Sequence, residues 1–123
     1  MRAVLRKLHS PDAPDLRLFH PADPTCFSVF IQAMIGPDDQ EAAESFDIVV
    51  CTPRWFIENC NIHDVILGRH HLIVFEFDFQ ELWNAIHSYC DSISGASWPE
   101  IAAKIGRLGK WEFEDYSEYP IVS

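Results

Sequence analysis

Residues 26–35 read CFSVFIQAMI, and residues 45–52 read SFDIVVCT. In the first stretch Phe27, Val29, Ile31, Ala33 and Ile35 alternate with Ser28, Phe30, Gln32 and Met34. The second repeats the device, with Phe46, Ile48 and Val50 against Asp47, Val49 and Cys51. Successive side chains of an extended chain point to opposite faces, so a period of two predicts strands with one apolar face. Between them, Gly36-Pro37-Asp38-Asp39-Gln40-Glu41-Ala42-Ala43 is short enough to join antiparallel neighbours. The pair therefore predicts a hairpin with an acidic tip, and the rest of the fold is read outward from it.

Upstream, residues 2–9 are expected to form a basic, weakly patterned first strand, followed by an irregular stretch punctuated by Pro11, Pro14, Pro21 and Pro24. Downstream, Thr52-Pro53 offers an N-cap with Pro at the first helical position, which predicts a short helix from Arg54 to Cys60 with Trp55, Phe56 and Cys60 packed on the sheet. Gly68-Arg69 breaks the chain before a strand over 71–77, whose apolar start predicts burial on both faces. Asp78 and Glu81 stand in the capping relation, ahead of an apolar stripe of Phe79, Leu82, Trp83, Ile86, Tyr89, Cys90 and Ile93. Ser97 and Glu100 repeat that relation, with Pro99 in the first turn and Gly106 or Gly109 as the stop. The sum is an α+β fold: one domain over 1–123, with an antiparallel sheet of four or five strands and helices packed on one face.

Composition supports one core. The 123 residues are 48% hydrophobic and 13% aromatic, enough to bury about two thirds of the surface an unfolded chain of this size exposes. No apolar run approaches the ~20 residues of a membrane span. The bases Arg2, Arg6 and Lys7 have no apolar stretch behind them, so no signal peptide is expected and a cytoplasmic location is. Cys26, Cys51, Cys60 and Cys90 are spaced without a C-x-x-C and read as free thiols. The set Cys60, His63, His70 and His71 matches no standard ligand spacing, so no metal and no cofactor is expected. No phosphate-binding glycine loop, G-x-S-x-G or H-E-x-x-H occurs. His87 reads as a half-exposed packing residue at the edge of its helix. A nucleophilic cysteine would need a histidine brought beside it by the fold. No catalytic residue is assigned.

Charge is the strongest pointer to function. Nineteen Asp and Glu stand against nine Lys and Arg, a formal charge of −10. The charges are segregated: after Arg17 no Lys or Arg appears until Arg54. Such a field disfavours nucleic acid and anionic membrane and speeds encounter with cationic proteins. The end of the chain adds Trp111, Glu112, Phe113, Glu114, Asp115, Tyr116, Ser117, Glu118 and Tyr119, acids interleaved with aromatics. Carboxylates steer a basic partner while rings supply contact area at low entropic cost. Read as a final edge strand, this tail buries Trp111 and Phe113, with Asp115 on their side, and turns Glu112, Glu114, Tyr116 and Glu118 to a partner. The rival contact surface is the hairpin tip with Asp38, Asp39, Glu41 and Glu44, and the exposed helix faces are a third. The tail is preferred narrowly over the tip.

Three motifs carry a family resemblance. FDIVVCTPRW from Phe46 to Trp55, GRHHLIVF at 68–75 and GRLGKWEFEDY at 106–116 together resemble the immunity protein 8 family, over roughly residues 25–120. These are the small antidotes encoded beside bacterial polymorphic toxins. The resemblance implies an α+β protein that binds and blocks one cognate toxin domain, and it places no catalytic residue here. Toxins of this kind are often nucleases with basic clefts, which suits an acidic antidote. The competing expectation is an acidic regulatory or scaffold module that binds protein without catalysing a reaction.

Overall fold

A computed structural model describes residues 1–114. Strands β1 (Ala3–His9), β2 (Ser28–Pro37) and β3 (Glu44–Cys51) lie side by side in that order, all antiparallel. A 3-10 turn at Leu16–Leu18 interrupts the proline-rich connection from β1 to β2. Helix α1 (Pro53–Asn59) leads to β4 (His71–Ile73), and helices α2 (Phe79–Asp91) and α3 (Trp98–Ile105) precede β5 (Lys110–Trp111). The second side of β3 is shared: β4 pairs with Val49–Cys51 and β5 with Phe46–Asp47. The class is α+β, as expected.

The β2–β3 hairpin is the centre of the core. Val29, Ile31 and Ala33 face Val50, Ile48 and Phe46 in register, and all six side chains are buried. Gly36 is required where the loop folds back, since a Cβ there would fall 1.7 Å from the Ala42 carbonyl oxygen. The weak pattern of β1 has a structural cause. Its register with β2 slips between Leu5 and Lys7, so Arg6 is a bulge residue and Leu5 and Leu8 both reach the core.

Helices α2 and α3 cover the inner face, burying Leu82, Ile86 and Cys90 from one and Ile101, Ala102 and Ile105 from the other. Both start as the sequence predicts, the Asp78 and Ser97 side chains accepting the Glu81 and Glu100 N–H groups. Thr52 is wholly buried and does double duty. Its hydroxyl oxygen accepts N–H bonds from Phe27 at 3.1 Å and Trp55 at 3.3 Å, tying the end of β3 to the start of β2 while capping α1.

Three local expectations are corrected. Helix α1 buries none of its residues; Trp55 and Phe56 are only half covered, and Phe56 meets the ring of His71. His71 pairs opposite Val49, on the outer face away from α2 and α3, so α1 is not part of the inner helix layer. Next, β4 is parallel to β3, because residues 52–70 form a crossover that returns the chain to enter in the same direction. Finally, β4 is buried on one side alone. Leu72 and Val74 pack on the core, while Ile73 and Phe75 are left exposed among the described residues.

Candidate interaction surface

The sequence nominates two acidic surfaces, and the fold brings their bases together at the beginning of β3. Glu44 is the junction. One of its carboxylate oxygens accepts the Trp98 indole N–H at 2.9 Å, and the other accepts that of Trp111. It thus ties α3 and β5 to the hairpin through two charge-assisted bonds. Trp111 also stacks on Phe46, with ring planes 12° apart. Next to it Glu112 accepts the Ser45 N–H at 2.8 Å and returns its own N–H to the Ser45 carbonyl.

The tail is not an extended strand over the residues described. The ladder with β5 ends at Phe46 although β3 continues to Glu44, the Ser45 N–H being taken by the Glu112 carboxylate. The chain then turns, and the Glu114 N–H closes on the Trp111 carbonyl at 2.9 Å. Glu112 and Glu114 therefore do not share a face. Glu114 swings back to pair with Arg69 and stands 3.7 Å from His70. Phe113, expected to be a core partner of Trp111, is 42% exposed and meets that ring edge-on. Asp115, Tyr116 and Glu118 lie outside the described residues.

At the hairpin tip Asp38, Asp39 and Glu41 are exposed, whereas Glu44 is half buried. The tip is held from below by the basic first strand. Asp38 exchanges bonds with the Arg2 backbone, giving its N–H to the Arg2 carbonyl and accepting the Arg2 N–H on its side chain. The Arg6 guanidinium donates to the carbonyls of Pro37 and Gln40. The Arg2 guanidinium donates to the Asp91 carbonyl, so both arginines are used on carbonyls, and among the described residues no ion pair neutralises Asp38, Asp39 or Glu41.

Three thiols are biased towards their protonated form. Burial, with a contribution from Asp91, pushes the Cys90 thiol up to about 12, and burial raises that of Cys51. Cys26 donates to Glu58 at 3.1 Å, which together with desolvation raises its value too. A thiolate nucleophile is disfavoured at each of these positions. Among the described residues no three His, Cys, Asp or Glu gather as a metal-binding group. His70 instead donates to the Gly106 carbonyl at 2.8 Å, from a left-handed backbone at φ 65°.

One surface escaped the sequence analysis. Seven of the ten large hydrophobic residues left exposed among those described are Ile57, Ile62, Val65, Ile66, Leu67, Ile73 and Phe75, all between the start of α1 and the residues just after β4. A signal existed: the apolar run Val65-Ile66-Leu67 fits neither period and lies where a connection is normally polar. The elements on either side match their templates, which leaves this run as a plain connection in the sequence pattern.

No described helix is long and apolar enough to cross a membrane. Among known proteins, a family model described as Immunity protein 8 matches residues 3–116. No curated protein and no solved structure matches the chain.

Proposed function

The chain belongs to the immunity protein 8 family, and from that premise we propose that it neutralises one cognate toxin in the cytoplasm by stoichiometric binding to a basic toxin domain such as a nuclease. The observation that carries the reading is the family match over residues 3–116. The formal charge of −10 supports the basic partner, because clustered carboxylates raise encounter rates with cations and repel the toxin's anionic competitors.

The test is a titration of toxin activity with the purified protein, beside co-expression of the two. Growth rescue, co-purification and a sharp break near one equivalent are the expected results. Protection that persists at a hundredfold excess of toxin over antidote means catalytic modification of the toxin and overturns the proposal.

A further inference from the structure

The crossover from β3 to β4 leaves its apolar residues on the surface in a held conformation. At its tip Asn61 and Asp64 close a turn through three bonds: the Asp64 N–H to the Asn61 carbonyl at 2.9 Å, the Asn61 N–H to the Asp64 carboxylate at 2.8 Å, and the His63 N–H to the Asn61 side chain at 2.9 Å. That turn presents Ile62 at 93% exposure. Farther along, β4 is an edge of the sheet, with β3 on one side and no strand on the other among the described residues. Phe75, just beyond it, is 80% exposed. Between this edge and the start of α2 runs a groove of about 500 Å³, floored by Leu72, Val74 and Leu82 and walled by Glu76, Asp78 and Glu81. Soluble proteins seldom concentrate exposed apolar side chains in this way without a partner, and edge strands are normally shielded.

The charge of this stretch, with Glu76, Asp78 and Glu81 lining the groove itself, states the partner's charge. From Ile57 to Glu81 the chain carries five carboxylates, Glu58, Asp64, Glu76, Asp78 and Glu81, against Arg69 as the lone Lys or Arg. That one cation is paired with Glu114. We infer that this crossover and β4 edge, not the hairpin tip or the tail, form the main docking surface for the cognate toxin, with apolar anchors on Ile62 and Phe75 and a Lys or Arg of the toxin laid in the groove. A long basic side chain suits such a groove, its stem against the apolar floor and its head among the carboxylates. The inference rests on the proposed toxin-binding function and deepens it.

The test measures association and dissociation rates against the toxin domain encoded by the neighbouring gene, using the full chain. Phe75→Ala and Ile62→Ser should each speed dissociation by at least about thirtyfold if they are central anchors. Glu76→Lys with Glu81→Lys should slow association about tenfold, while Asp39→Lys with Glu41→Lys leaves dissociation unaltered. All these side chains are exposed, and unchanged melting curves confirm that folding is intact. If the wild type binds and the crossover variants keep its rates, the docking inference is overturned while the toxin-binding function stands. If the wild type neither binds nor protects, that function fails as well. If the free protein sediments as a dimer that Phe75→Ala converts to monomer, the surface serves a second copy of this chain and the inference is also overturned.

Discussion

A single buried hydroxyl joins two parts of the fold. Thr52 accepts the N–H groups of Phe27 and Trp55, so Thr52→Ala removes a helix cap and strands a buried backbone donor together. The expected loss is about 2 kcal/mol in denaturant unfolding, against a change within about 0.5 kcal/mol for Ser88→Ala on the exposed face of α2 as a surface control. Cys90 is informative about pH. Its folded value is raised to about 12 by burial, so the neutral thiol is the stabilised form. Stability from this source is complete below the ordinary thiol range. It declines as pH rises above that range towards 12, because only the unfolded chain ionises there. Cys90→Ala should flatten the alkaline arm of the stability curve, and Cys90 should resist thiol reagents at pH 8 until the protein unfolds.

At the scale of elements, Glu44 binds α3 and β5 to the sheet through its two indole bonds. Removing the carboxylate leaves two half-buried N–H donors without their charged acceptor. Glu44→Ala should therefore cost about 2–3 kcal/mol and shift tryptophan emission, as Trp98 and Trp111 lose their fixed surroundings. A loss of binding in this variant would report on structure and not on contact. Glu112 and Glu114 share this ambiguity, since each is engaged with Ser45 or Arg69. Asp39 and Glu41 do not, which makes the tip the cleaner rival to test.

For the whole molecule, the charge of −10 is spread over a small surface with few cations to offset it. The described ion pairs are mostly exposed, such as Arg17–Asp15 at 3.1 Å and Arg54–Asp23 at 3.6 Å, and pairs of this kind contribute little. Screening the repulsion should outweigh weakening those pairs. Moderate salt is expected to raise the melting temperature slightly. An unchanged or lower value would show that the fold already compensates its carboxylates.

The hairpin was legible because both its strands carry the period of two, and the buried set Phe27 to Ile35 and Phe46 to Val50 is the set that alternation selects. The three helix starts were legible too, since Thr52, Asp78 and Ser97 cap through bonds to residues three positions on. Acidity is read directly from composition. Tertiary structure alone decided the rest. The bulge at Arg6 depends on the register that β2 imposes, and Glu44 becomes a double acceptor because two tryptophans more than fifty residues away converge on it. The tail turns at Glu112, where the carboxylate takes the Ser45 N–H and the Glu114 N–H closes on Trp111, a choice no local pattern records. Ile73 and Phe75 stay open for a related reason: apolar character records aversion to water, but cover depends on what packs above, and on that side of β4 α1 reaches His71 while Ile73 and Phe75 keep 56% and 80% exposure.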